Sequence, residues 1–308
     1  MKALLVFIDG FGLGSGDPAV NPCASDGLEV LRCAASGDTV RPAAEGGILI
    51  EADACLGVEG LPQSATGQTA LFTGVNAPAL LGRHLPGFPN AALRDVLAGR
   101  SVLKRLSDAG FSCRFLNAYR PLFFRLEEPM RWRLSATTVA TLAAGVPFFG
   151  LDDLRERRCL YHDFTNETLI RRGIEAPRFS AEEAGAIAAR ALAEHDFLLY
   201  EYFLTDKAGH GRDGNAALLL MRSLDRLVLS LIRSLPPDEV LLLVASDHGN
   251  IEDLSVRTHT RNPVPVFAWG LGCGRIAERV RTIADVTPAL LSHFIPGIGL
   301  PAPEEAAA

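Results

Sequence analysis

The sequence predicts an α/β protein with a mostly parallel sheet, helices on both faces and a small inserted cap. Short apolar runs rich in Val, Leu and Phe recur at residues 3–8, 197–204, 240–245 and 264–268, each the length of a strand buried on both faces. Between the later runs lie segments of helical period, and strands alternating with helices of this length imply parallel pairing with helices covering the sheet. A third observation concerns where the runs stop: three of them end in aspartate, at Asp9, Asp206 and Asp247.

Taken in order, the run at 3–8 is the first strand. From about 76 to 178 the pattern changes to many prolines and arginines, with a helix and strand expected over 101–119 and an Ala/Thr-rich helix over 135–144. This region reads as an inserted cap or substrate-specificity region, leaving residues 1–75 and 179–308 as the α/β core. The segment 180–194 starts with Ser180 as N-cap and Glu183 three residues on, a capping box. Over 214–234, Leu218, Leu219, Met221, Leu224, Leu227, Val228 and Leu231 are expected to line one broad helical face.

With 308 residues, 48% of them hydrophobic and 21% charged, the chain is large enough for one big core or two unequal domains. Only the tail LPAPEEAAA has the composition of a disordered stretch. A formal charge of −6 argues against nucleic acid as a partner, so a small anionic substrate would have to meet local cations. The opening apolar run is too short for a signal peptide and no later run is long enough for a membrane span. Six cysteines without a C-x-x-C pair read as reduced structural thiols, so a cytoplasmic protein with no membrane partner is expected.

In open α/β sheets ligands bind beyond the carboxyl ends of the strands, which gives the three aspartates a common place. One such aspartate alone reads as a turn or a helix cap. Here each has imidazole company: His210 follows Asp206 by four residues, His248 follows Asp247 directly, and His259 lies just before the last apolar run. Mixed carboxylate and imidazole donors suit Zn²⁺ or Mn²⁺ better than Ca²⁺. His84, His162, His195 and His293 read on their own as hydrogen-bonded core or surface residues.

The stretches DGFG, TDKAGH, ASDHGNIED, THTRNPVPV and ADVTPALL, in that order, resemble the alkaline phosphatase superfamily, and within it most closely the metalloenzyme domain of the cofactor-independent phosphoglycerate mutase branch. The resemblance covers roughly residues 1–75 and 195–300. It implies an alkaline-phosphatase-like fold and a site with two divalent metal ions, Mn or Zn. One would be held by Asp206, His210 and His259, the other by Asp9, Asp247 and His248. The segment GLPQSATGQTALFTG resembles the family's nucleophile segment and puts Thr69 at the nucleophile position, in contact with the metals, with Thr66 as runner-up.

The chain departs from the mutase pattern in two ways. Only about a hundred residues stand where the mutase carries a large second domain, and no Gly-His follows the nucleophile position. The expected function is therefore hydrolysis of a small phosphorylated substrate through a phosphothreonine. A phosphomutase and a non-catalytic metal-binding module are the alternatives, and no C-x-P-S-R sequence supports a sulfatase. Arginine forks suit phosphate and carboxylate. Arg83 and His84 follow closely on the nucleophile segment, and Arg120 and Arg125 belong to a basic cluster with Arg131 and Arg133, so these are the candidate substrate contacts.

Overall fold

The structure, a computed structural model, describes residues 1–32, 40–295 and 297; Cys33 and the tail LPAPEEAAA lie outside the described residues. Among the described residues seven strands form one sheet: β1 (Lys2–Ile8), β2 (Val40–Pro42), β3 (Ile48–Ala52), β4 (Cys113–Phe115), β5 (Phe197–Tyr202), β6 (Val240–Ser246) and β7 (Val264–Gly270). Their order is β2-β3-β7-β6-β1-β5-β4. The four strands β4, β5, β1 and β6 pair in parallel, and β7, β3 and β2 continue the sheet by antiparallel pairing. The sheet is open and mostly parallel, as the four apolar runs imply. The edge formed by β3 and β2 is not foreseen by them.

Alternation along β1 divides the interior into two cores. Leu4, Val6 and Ile8 face the helices Ala181–Glu194 and Gly214–Ser234. Ala3, Leu5 and Phe7 face the opposite layer, which includes Leu71 and Phe72 of the helix Ser64–Thr73 and Leu290 of the helix Val286–Phe294. Because successive strand side chains point to opposite faces, seven consecutive apolar or small residues in β6 are all buried.

Ser180 caps its helix through the Glu183 amide, and Glu183 returns the bond to the Ser180 amide. On the helix Gly214–Ser234 one expectation is corrected: Leu219 is 67% exposed while Met221 is fully buried. Two residues turn a helix by about 200°, so Leu219 cannot share the face of Met221.

Between residues 76 and 178 the helices Ala91–Arg100, Val102–Asp108 and Ala136–Ala143 pack onto the sheet, and β4 joins its edge beside β5. Cys113 and Cys159 are buried free thiols. Among the described residues no helix is long and apolar enough to cross a membrane.

Candidate metal and phosphoryl-transfer site

The register of the central strands brings the aspartates together. Ile8, the last residue of β1, lies level with Tyr202 of β5 on one side and Ser246 of β6 on the other. Asp9 and Asp247 therefore leave adjacent strands at the same height, and the helix Leu204–Gly211 starts from the third with Asp206 in its first turn. Gly10 allows this crowding: it adopts φ +70, and a Cβ there would stand 2.8 Å from the Asp206 Cβ.

His248 and His259 stack with ring centroids 3.8 Å apart, and His210 lies 5.2 Å from His259. The His248 Nε2 is 3.2 Å from Asp9 Oδ1 and 3.5 Å from Asp247 Oδ2. On the other side, Asp206 Oδ1 is 3.4 Å from His259 Nε2 and 3.5 Å from His210 Nε2. All six residues read from the sequence as ligands thus fall into one cluster. Two groups within it, Asp9–Asp247–His248 and Asp206–His248–His259, bring their donor atoms within 4.8 Å of one another.

The donors fit divalent cations on three observations. Each imidazole turns Nδ1 to a backbone carbonyl: His259 to Pro62 at 2.8 Å, His210 to Arg257 at 3.0 Å and His248 to Gly249 at 3.4 Å. An N–H donated there leaves the Nε2 lone pair for a cation, the usual arrangement of ligating histidines. Second, Asp9 Oδ1 and Asp247 Oδ2 are buried and accept no hydrogen bond. Third, burial and the neighbouring Asp9 charge hold the Asp247 carboxyl well above the usual carboxylate range, so the cluster lacks positive charge. Burial would lower the His248 pKa, but the Asp247 and Asp9 carboxylates outweigh it and push it up to about 10. Burial likewise opposes ionisation of Asp206, yet bonds from His259 and Asn250 and the charge of His248 bring it down to about 2.

Three residues that the sequence reading passed over complete the site. Asn250 donates Nδ2 to Asp206 Oδ1 at 2.7 Å and fixes that carboxylate. The buried Glu252 accepts from the Gly12 amide at 2.9 Å, the Asn250 amide at 2.7 Å, Asn262 Nδ2 at 3.1 Å and the Thr260 hydroxyl, tying together the loops that carry Asp9, His248 and His259. Ser64, the first residue of the helix Ser64–Thr73, sets its Oγ 3.0 Å from His248 Nε2.

Thr69 stands elsewhere. It lies in the second turn of that helix, fully buried, with its hydroxyl donated to the Ala65 carbonyl at 2.7 Å. Thr66 donates to the Gln63 carbonyl and accepts from the Leu85 amide. The sequence register thus misses the cluster by five residues: the position facing it is Ser64.

A cleft of about 610 Å³ opens from Asp9, Ser64 and Asp206 toward the chain between β4 and β5. Of the candidate substrate contacts, Arg120 lines it. Arg83 and Arg125 are exposed outside it, and His84 bonds the Val58 carbonyl at 3.3 Å. The second basic cluster is engaged in surface ion pairs, Arg155 with Asp152, Arg157 with Glu183 and Arg158 with Asp153. His162 lines the cleft, with its ring centroid 4.2 Å from that of Tyr161 and 4.3 Å from that of Phe203. Burial, then the charges of Lys207, Arg172 and Arg120, lower its pKa to about 3.

The chain is similar in sequence and in fold to known proteins. Residues 165–295 match the family model described as Metalloenzyme superfamily. Over 84 residues the chain is 33% identical to the 2,3-bisphosphoglycerate-independent phosphoglycerate mutase of Methanopyrus kandleri, covering 27% of this chain and 19% of that protein. Over 91 residues it is 35% identical to the phosphopentomutase of Chromohalobacter salexigens, covering 28% and 22% respectively. The chain thus spans about a fifth of the length of these two relatives. Its fold is similar to that of a cold-active alkaline phosphatase from a psychrophilic Shewanella sp., with a TM-score of 0.57 at 11% identity over 96% of this chain and 100% of that one.

The sheet order is that of an open α/β fold, and its C-terminal part carries the metalloenzyme match. The findings support an alkaline-phosphatase-like metalloenzyme: residues 165–295 match the Metalloenzyme superfamily model, which implies divalent metal ions, and the fold is similar to that of an alkaline phosphatase.

Proposed function

We propose that this chain hydrolyses small phosphate esters, with Ser64 as the nucleophile. The observation that carries the reading is the Ser64 hydroxyl, which stands 3.0 Å from His248 Nε2 at the start of its helix and lines the cleft. Asp9, Asp247 and His248 would hold one divalent ion and Asp206, His210 and His259 another, with Mn²⁺ or Zn²⁺ suited to the mixed donors. Bound there, the ions supply positive charge that lowers the pKa of a neighbouring hydroxyl and offsets charge on phosphoryl oxygens.

The chain's own groups then do the rest. Gln63 gives its helix no side-chain cap, so first-turn amides are left for a phosphoryl oxygen at the positive end of the helix dipole. Ser64 gives up its hydroxyl proton to solvent as its oxygen attacks phosphorus, and the bond from phosphorus to the ester oxygen breaks, that oxygen leaving as an alcohol with a proton from solvent. Water then attacks the phosphoserine, releasing inorganic phosphate and restoring the Ser64 hydroxyl. Water as final acceptor is supported by the rim of the cleft, where Phe88 is 61% and Leu122 63% exposed. A mutase has to keep water from the phosphorylated enzyme. Within 76–178, the chain from Asn117 to His162 would act as the specificity cap, since both ends of it line the cleft.

Ser64→Ala is expected to lower phosphate release from an aryl phosphate by at least about 10³-fold while metal binding persists. Thr69→Ala is expected to stay within about tenfold of wild type, because its hydroxyl serves the helix backbone. Equal losses in both variants would overturn the assignment. The phosphomutase matches support a second reading, and it is the correct one if metal-loaded protein interconverts 2- and 3-phosphoglycerate without releasing phosphate. Metal binding without turnover of any ester would leave a binding module.

A further inference from the structure

The cleft next to Ser64 has the wrong walls for a small polyhydroxylated phosphate. Phe88, Phe115, Tyr119, Leu122, Phe123 and Phe203 all face it. The rings are locked against one another: Tyr119 and Phe123 have centroids 4.2 Å apart, and Phe115 and Tyr119 6.2 Å. Such a wall is set before any ligand arrives.

The polar side chains among these walls are already spent on the protein. Tyr119 shares its hydroxyl with Thr138 at 2.7 Å. Asn117 donates to the Glu201 carbonyl at 2.8 Å and accepts from the Glu201 amide at 2.9 Å, using both ends of its amide. Glu201 accepts from the Thr137 hydroxyl at 2.8 Å, and burial pushes its carboxyl up to about 7. Ser135 bonds Thr137 and Thr138. Besides Tyr161, His162 and the Ser64 end, Arg120 and Lys207 remain to meet polar atoms. A sugar or a glyceric acid placed here would lose water from its hydroxyls and find few partners, which is costly.

The apolar character continues to the surface. Leu122 and Phe124 of the short helix Pro121–Arg125 and Met130 of the helix Glu128–Arg131 are 63%, 42% and 48% exposed, and Phe88 at the cleft rim is 61% exposed. Half of the large apolar side chains exposed among the described residues thus lie on the rim or on the two short helices beside it. Clustering of this kind marks a binding surface, whereas scattered exposed apolar residues do not.

We infer that the alcohol portion of the substrate is a large apolar group, an aromatic ring system or a hydrocarbon of comparable size, held in the aromatic cleft with the phosphoryl group at Ser64. This rests on the phosphoryl-transfer reading above and names the substrate class for the same site. Apolar surface leaving water gives roughly fourfold in affinity per buried methylene, so selectivity should grow with the size of the group.

The test holds leaving-group chemistry constant by using ethyl, butyl, hexyl and octyl phosphate, with glycerol 3-phosphate as the polar comparison, on metal-loaded protein. The expected result is a kcat/KM that rises at least about thirtyfold from ethyl to octyl, with glycerol 3-phosphate near the bottom. Phenyl against 2-naphthyl phosphate forms the aromatic arm and tells a ring site from a chain site. Phe88→Ser and Leu122→Ser, at exposed positions that the fold tolerates, should each reduce the octyl-to-ethyl ratio at least about threefold. A flat series, or preference for glycerol 3-phosphate, with turnover intact overturns the inference and leaves the phosphoryl-transfer reading standing. Equilibrium dialysis of octyl and ethyl phosphate against Ser64→Ala protein gives a readout free of turnover. Tighter binding of octyl phosphate supports the apolar site even if no ester is hydrolysed, and equal binding overturns it.

Discussion

Glu252 is the clearest case of a residue whose importance follows from its hydrogen bonds alone. Its carboxylate is fully buried and accepts four donors from three loops, each carrying a group of the metal cluster. Glu252→Gln would replace an acceptor oxygen by an amide that must face donors, misplacing the loops without touching a cation. The expected outcome is a 10- to 100-fold loss of metal affinity by direct titration, with a smaller loss of thermal stability than a core truncation produces. Unchanged affinity would show that the loops hold their geometry independently. The sequence ASDHGNIED displays Asp247 and His248 because they end an apolar run. It hides Glu252, whose role depends on Gly12, Thr260 and Asn262 arriving from elsewhere. Ser64 was hidden differently: Ser64, Thr66 and Thr69 offer three hydroxyls within six residues, and only the helix start tells them apart.

At the scale of elements, what the sequence disclosed was what periodicity controls. Apolar runs marked β1, β5, β6 and β7, and Ser180 with Glu183 marked a helix start to the residue. Ser180→Ala removes one capping bond far from the cluster and should cost about 1 kcal/mol, seen as a fall in urea midpoint with metal affinity unaltered. A change in both would mean that this helix helps to position the site. Strand direction was not legible, because β7 and β6 are equally apolar yet antiparallel. Nor was β3, whose run ILIEA is short and follows Gly46 and Gly47. Its place is fixed by pairing with β7 across the sheet rather than by its own pattern.

For the whole molecule, net charge and the carboxyl edge of the sheet act in the same direction. A chain of formal charge −6 gathers Asp9, Asp206 and Asp247 at one end of its central strands. In the metal-free protein the fold retains protons there. His248 is raised from 6.5 to about 10, so its contribution to stability is complete below pH 6.5 and is lost as pH rises toward 10. The raised Asp247 carboxyl acts with the same sign, because its proton also stabilises the fold at low pH and is given up as pH rises. Cations compete with those protons for the same atoms, so metal binding tightens over the interval in which the metal-free protein weakens. Two ions at about 100 times their Kd would each contribute about 2.7 kcal/mol, which for a chain of this size is a rise in Tm of roughly 5–10 °C. The gain in Tm on adding Mn²⁺ or Zn²⁺ is therefore expected to be larger at pH 8.5 than at pH 6, and a chelator should abolish it at both. Calorimetry with and without metal across that range checks the sign: a gain independent of pH would mean that the cations bind away from His248 and Asp247.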